Sequence, residues 1–220
     1  MMEEDKNKPL PARSVIERHF YLMVLQCPQC GKGPFSLVST EQAPDQPVDI
    51  WYVRCRQCRY GQRLLFDRRA LLVDEIEGAA STLPEVNPTD RPSHLIDLGQ
   101  WLAMFHHILA AASEEKDRKE AQRLGYEATL CLEEALKFYV PDSDLPPAEA
   151  VWTEASQKRL QERPELFVRQ RLLQMREKLP SLQVMRKAMT DAPIFESNQD
   201  GHGNGKKKKH WWNKWRNKGG

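Results

Sequence analysis

Two periods of apolar residue divide this chain into a β-patterned first part and an α-patterned remainder. From about His19 to Phe66 the apolar positions fall in short runs rich in β-branched and aromatic residues. These runs are Phe20-Tyr21-Leu22-Met23-Val24-Leu25, Phe35-Ser36-Leu37-Val38-Ser39-Thr40, Asp49-Ile50-Trp51-Tyr52-Val53-Arg54 and Gln62-Arg63-Leu64-Leu65-Phe66, each predicted as a strand. Glu41 to Pro47 holds two prolines and reads as a loop. Asp67 to Ala80 is predicted as a short helix or a strand leading out of this region, and its pattern does not choose between them.

Past Ser93 the period becomes helical. Leu95, Leu98, Leu102, Phe105, Leu109 and Ala112 recur at spacings of three and four, as do Ala121, Leu124, Ala128, Cys131, Ala135 and Phe138. Ser113 is the predicted N-cap between the two runs, with Glu114, Glu115 and Asp117 near the positive end of the second helix. Two antiparallel helices follow from that break, with one long helix over 93–139 as the alternative. Pro141 is predicted to end the second helix. Pro146 and Pro147 suit the first turn of a third through Val151, Trp152 and Ala155. Pro164 opens a fourth on Val168, Leu172, Met175 and Leu179, and Pro180 stops it. Ser181 caps a last short helix through Met185 and Met189. The expected organisation is a disordered 1–14, a β module with its exit over 15–80, a proline-bearing linker over 81–92, helices over 93–190 and a disordered tail over 191–220.

Composition narrows the class. The chain has 220 residues, 40% hydrophobic, which is enough for a core, but its 29% charge and 15 prolines require much exposed chain. The longest apolar run, Trp101 to Ala112, spans 12 residues and contains His106 and His107, too short and too polar to cross a bilayer. The N-terminus, Met1-Met2-Glu3-Glu4-Asp5-Lys6, lacks the apolar stretch of a signal peptide. The expectation is a soluble, cytoplasmic protein. A formal net charge of +2 hides an asymmetry, because residues 201–220 carry seven cations and no acid. Residues 1–200 are left at −5, with 26 basic and 31 acidic side chains. The body is acidic and the tail is basic.

The densest chemistry lies in four cysteines. Cys27-Pro28-Gln29-Cys30 and Cys55-Arg56-Gln57-Cys58 are two C-x-x-C turns separated by 24 residues. Each turn holds two thiolates close enough to share a metal, and two turns supply the four tetrahedral ligands of a structural zinc. Sulfur at all four positions leaves no open coordination site, so one structural Zn²⁺ is the expected cofactor. Thioredoxin-like chemistry would need one reactive pair at a helix N-terminus, and here two pairs lie among predicted strands. Strand, knuckle, hairpin and knuckle over residues 19–66 resemble a zinc ribbon. Gly31 follows Cys30, where a left-handed residue turns backbone N–H groups towards the sulfurs. The second knuckle departs from the pattern, with Arg59 at the equivalent place and Gly61 two residues later. The fold class expected is therefore α+β, a small zinc ribbon followed by an all-α domain of four to five helices.

Other residues carry weaker signals. Arg54, Arg56, Arg59, Arg63, Arg68 and Arg69 face one acid, Asp67, within residues 54–69. They either compensate the −2 formal charge of a Zn²⁺–thiolate cluster or form a nucleic-acid surface. Trp51, Tyr52, Phe35 and Phe66 offer a stacking platform or a ribbon core, and strand alternation assigns Trp51 to the core. Cys131 lies in an apolar stripe, as an inert buried thiol. His106 falls at the edge of its helix's apolar stripe and His107 on the polar side, with no partners that make a site. In the tail, Lys206, Lys207, Lys208 and Lys209 precede Trp211, Trp212, Lys214, Trp215 and Arg216. Cations meeting phosphates while indoles stack on bases is one reading, and an anionic membrane surface is the other.

No phosphate loop, nucleophile elbow or H-E-x-x-H occurs in the sequence, and no enzyme activity is expected. The expected function is a non-catalytic zinc-binding adaptor, contacting nucleic acid through the ribbon or tail and protein through the helices. A protein–protein scaffold with a membrane-surface tail is the alternative, and an accessory or regulatory subunit of an enzyme the second. No small-molecule substrate is evident. The candidate nucleic-acid residues are Arg56, Arg59 and Arg63 in the ribbon, with the tail's lysines, tryptophans and Arg216.

Overall fold

The computed structural model describes residues 8–71 and 86–179. Within them lie a three-stranded antiparallel sheet and five α-helices. The first helix, α1 (Val15–Val24), occupies the run expected as the first strand. Phe20 to Leu25 is rich in β-formers, but Ser14 caps the helix by accepting from the Glu17 N–H at 2.9 Å. The Glu17 carboxylate in turn accepts from the Arg13 N–H at 2.6 Å. A serine with glutamate three residues on is a helix-start signature, and local capping here overrides strand propensity. Ile16 and Phe20 then bury on one side of the helix, and Arg18 and Leu22 on another.

Strands β1 (Phe35–Gln42), β2 (Val48–Cys55) and β3 (Gly61–Asp67) pair in sequence order, as their alternation predicts. A bulge between Leu37 and Ser39 leaves Val38 as the extra residue of β1. Two faces result. Phe35, Trp51, Val53, Cys55 and Phe66 are buried on the inner one. The outer one reads in three cross-strand rows: Glu41, Ile50 and Leu65; then Ser39, Tyr52 and Arg63; then Ser36, Arg54 and Gly61. Part of the segment expected to be disordered also belongs here. Leu10 donates its N–H to the Leu65 carbonyl at 2.7 Å and accepts from the Asp67 N–H at 2.9 Å, extending the β3 edge. From β3 the chain enters a 3₁₀ turn at Arg68–Ala70, and the rest of the expected exit segment, 72–80, lies outside the described residues.

Helix α1 covers the inner face through an arginine that sequence reading passed over. Arg18 is 1% exposed, and its Nη1 lies 2.7 Å from the Asp49 carboxylate. Its guanidinium carbon stands 4.8 Å from the Phe66 ring centroid and 5.6 Å from that of Trp51. The cation is thus held between one carboxylate and two π-faces, which offset its desolvation. His19 meets Trp51 edge-on at 4.9 Å, while Phe20 reaches Trp101 at 5.5 Å. One helix therefore touches both the sheet and the helical layer.

That layer is built on α2 (Leu98–Glu114) and α3 (Arg118–Leu136). Of the two apolar stripes, Leu95, Leu98, Leu102 and Phe105 bury, as do Leu124, Ala128, Cys131, Ala135 and Phe138, while Leu109, Ala112 and Ala121 are half-buried, and two helices form rather than one. The break is not at Ser113. That hydroxyl donates to the Ala110 carbonyl inside α2, and Asp117 caps α3 by accepting from the Lys119 and Glu120 N–H groups. The aspartate competes better for exposed donors because it is charged. Helix α3 is the central one, buried without interruption from Tyr126 to Leu132.

The segment expected as a linker over 81–92 is described from residue 86, and Val86 and Asn87 are buried. The Asn87 amide donates to the Glu134 carboxylate at 3.3 Å, and the Lys137 ammonium donates to the Asn87 carbonyl at 2.7 Å. Prolines 146 and 147 open only a 3₁₀ turn, Ala148–Ala150, before α4 (Glu154–Glu162). Pro164 likewise starts a 3₁₀ turn, Pro164–Phe167, and α5 (Arg169–Glu177) follows. The helix expected over 181–189 lies outside the described residues. Among the described residues no helix is long and apolar enough to cross a membrane.

Asp97 joins α2 to α4. It is fully buried, caps α2 through the Gln100 N–H at 2.8 Å, and accepts from the Ser156 hydroxyl at 2.7 Å and the Thr153 N–H at 2.9 Å. The helices are so close that a Cβ at Gly99 would stand 2.5 Å from both Cβ and Oγ of Ser156. Gly99→Ala is therefore expected to destabilise the protein by about 1–3 kcal/mol despite alanine's better helix propensity. Thermal unfolding checks this, and an unchanged midpoint would show that α2 and α4 can move apart freely.

Two buried carboxylates on α3 set a pH dependence. Burial pushes Glu127 up to about 8, with Arg123 pulling the other way and Glu120 adding to the rise. Burial likewise pushes Glu134 up to about 7 against the pull of Lys137. Both folded values exceed an unfolded value of about 4.3, so the folded state binds more protons than the unfolded state between them. Stability from these groups is present at low pH and is lost as pH rises through 7 and 8. The melting temperature of the Glu127→Gln, Glu134→Gln variant should fall less between pH 6 and 8 than that of the parent. Equal slopes would show both carboxylates already ionised at pH 6.

Candidate metal centre

The first knuckle begins three residues after α1, and the second closes β2, so helix and strand deliver the two cysteine pairs to one place. The knuckles are alike in their backbone. Gly31 N–H donates to the Cys27 carbonyl at 2.8 Å, and Arg59 N–H donates to the Cys55 carbonyl at 3.1 Å. Cys27 N–H donates to the Lys32 carbonyl at 2.6 Å, and Cys55 N–H to that of Tyr60 at 2.8 Å. Gly31 and Arg59 each take a φ of 67°. The departure seen in the sequence therefore changes the residue and not the turn. Arginine adopts the left-handed conformation at a cost of about 1–2 kcal/mol that glycine avoids.

These turns bring the Sγ atoms of Cys27, Cys30, Cys55 and Cys58 within 4.8 Å of one another. The closest pairs cross between knuckles, Cys27 to Cys58 at 3.6 Å and Cys30 to Cys55 at 3.8 Å. All four are free thiols. A tetrahedron with metal–sulfur bonds of about 2.3 Å has edges of about 3.8 Å. The cluster is thus already at the spacing needed to hold one metal ion. Cys27 and Cys55 are buried beneath it, whereas Cys30 is half-buried and Cys58 exposed.

The sulfurs differ in how readily they give up protons. Burial works to raise Cys27, but the N–H groups of Cys30 and Gln29 and the thiols of Cys58 and Cys55 outweigh it, bringing it down to about 7. For Cys58, the Tyr60 N–H lowers the thiol, yet burial and the other three sulfurs push it up to about 12. One thiolate among four crowded sulfurs makes each further ionisation harder, and a bound cation reverses that order.

Of the six arginines around the second knuckle, two are committed to acids. Arg68 lies 3.7 Å from Asp49, and Arg69 pairs with Asp67 at 2.9 Å. Arg56 is half-buried, and its N–H donates to the Pro34 carbonyl at 3.0 Å. Arg54, Arg59 and Arg63 are exposed. Trp51, Phe35 and Phe66 are core residues, while Tyr52 and Tyr60 are 36% and 37% exposed. Lys206, Lys207, Lys208, Lys209, Trp211, Trp212, Lys214, Trp215 and Arg216 lie outside the described residues.

Comparison with protein-family models, curated proteins and solved structures gives no match. The site thus stands on its own geometry.

Cys131 is fully buried, and desolvation with the nearby Glu127 and Glu134 holds its thiol well above the ordinary value. His106 is half-buried at the stripe's edge, its imidazole lowered by burial and by Arg159 and Arg171, and His107 is exposed.

Proposed function

We propose that this chain is a non-catalytic adaptor whose small sheet is a zinc ribbon held by Zn²⁺ on Cys27, Cys30, Cys55 and Cys58. The observation that carries the reading is the cluster of four sulfurs within 4.8 Å of one another, two pairs at 3.6 and 3.8 Å, with no fifth metal-ligating side chain grouped with them among the described residues. Four thiolates saturate a tetrahedral ion, so zinc here acts through folding rather than through bound water. Iron suits the same donor set, but it brings colour and redox chemistry that zinc lacks. A reducing cytoplasm is the compartment in which four such thiols stay available to a metal.

The adaptor's partner in this reading is nucleic acid, met by the exposed arginines of the ribbon and by the basic tail. The support is the split among arginines: Arg68 and Arg69 have acids, whereas Arg54, Arg59 and Arg63 take no ion pair among the described residues. Solvated cations of this kind attract phosphates and release counterions on binding.

Elemental analysis and an absorption spectrum of protein purified under reducing conditions test the metal. One zinc per chain and no visible absorbance are expected; stoichiometric iron, or no metal, would overturn it. Retention on heparin that falls with salt tests the partner, and elution in the void at low salt would count against it.

A further inference from the structure

We propose that the outer face of the three-stranded sheet is a platform for single-stranded nucleic acid, seating one base in an aliphatic cleft and the next on Tyr52. The inference rests on the nucleic-acid reading above and assigns it to one surface. The three outer rows run from apolar to cationic: Ile50 beside Leu65, Tyr52 beside Arg63, then Arg54 beside Gly61, with Arg59 beyond on the knuckle. Outward residues two apart on a strand are spaced by about 6.8 Å, so the rows form a track rather than one spot.

The apolar end is concave. Ala43, Pro44, Val48, Ile50 and Leu65 line a cleft of about 240 Å³, with Arg63 on its wall. The volume suits one flat ring, and the aliphatic walls offer contact on its faces. Arg63 is the cross-strand neighbour of Tyr52 and also lines the cleft, so the cleft and the tyrosine position adjoin. Tyr52 is held in place because its hydroxyl donates to Glu41 at 3.2 Å. That bond also occupies the acid on the first row. A second acid, Asp45, sits at the cleft and repels a phosphate there, which directs the backbone towards the arginine end.

Single strands are favoured over duplex because unpaired bases can enter a cleft and stack on a ring, and stacking tolerates any base. They are favoured over an acidic peptide because an exposed tyrosine bordered by an arginine offers flat contact that carboxylates do not use. Arg54 and Arg59 then take the phosphates on either side of the stacked bases.

The test is fluorescence anisotropy of the full-length zinc-loaded protein with labelled ten-nucleotide oligothymidylate and oligouridylate, across a salt series. Tyr52→Ala should weaken binding by about 5- to 150-fold with little change in salt slope. Arg54→Ala and Arg63→Ala should each weaken it and lower the log–log slope by about 0.7. Ile50→Ser should weaken it without changing the slope. All four positions face outward, and zinc content with melting temperature confirms that the variants fold. Removal of residues 206–218 should leave the effect of Tyr52→Ala intact. If the face variants bind like the parent while the tail deletion abolishes binding, the platform is overturned and the nucleic-acid reading survives. If no form binds either oligonucleotide at low salt, both fall. A labelled glutamate-rich, leucine-bearing peptide is the control: saturable binding of it in place of the oligonucleotides would overturn the platform and make the face a protein dock.

Discussion

Cys55→Ser is expected to abolish metal binding at the sulfur cluster and to melt the sheet, the largest effect of any single change. Cys55 is fully buried, ends β2, and supplies one edge of the sulfur cluster at 3.8 Å from Cys30. Its loss leaves three sulfurs and a hydroxyl that binds zinc poorly. Metal binding in small zinc modules contributes about 10–16 kcal/mol of apparent folding free energy. A three-stranded sheet with one half-solvated face has little else to replace it. Hydrogen exchange should show protection lost over residues 27–67, with α2 and α3 retaining theirs. A strong chelator should have the same effect on the parent protein. Protected sheet amides in metal-free protein would show that side-chain packing alone holds the sheet.

Arg18→Ala is expected to cost about 3–5 kcal/mol, because it leaves the Asp49 carboxylate without its buried partner. Asp49 is only 15% exposed and otherwise has Arg68 at 3.7 Å. For a chain of this size the melting temperature should drop by roughly 6–20 °C. The pair is not irreplaceable. Arg18→Met combined with Asp49→Leu keeps the volume and removes both charges, and should recover most of the loss. A double variant as unstable as the sum of the two single changes would place the energy in ring packing rather than in charge. Arg18→Lys should fall between, since an ammonium cannot stack its plane on Phe66 and Trp51 as a guanidinium does.

Sequence reading succeeded where one residue's neighbours along the chain settle its environment. Alternation placed Trp51 inward, and the C-x-x-C spacing singled out the four cysteines that the fold brings together. Sequence reading placed apolar stripes on both α2 and α3 but left open whether 93–139 is one helix or two. It failed where a partner distant in sequence decides. Nothing local tells that Arg18 turns inward, because its reason is Asp49, 31 residues away. Asn87 looked like linker because its partner, Glu134, comes 47 residues later. The misreading of α1 is different in kind. Ser14 and Glu17 form a helix-start signal, but strand-forming residues follow it directly and mask it. Ser113 is the expected cap nearest the last apolar position, whereas Asp117, four residues on, accepts from the exposed N–H groups.

The place of α1 bears on how the chain can be divided for expression. Arg18 and His19 face the sheet, while Phe20 faces Trp101 of α2. A ribbon fragment beginning at residue 19 would discard the cation that lies against Trp51 and Phe66. One beginning at residue 8 and ending at 71 would keep it but turn Phe20 out to water. The reciprocal fragment, 86–179, would uncover Trp101 and the Val86 backbone that Ser14 bonds. Separate production of the two parts therefore calls for Phe20 and Trp101 to be replaced by polar residues, or for the cut to be avoided.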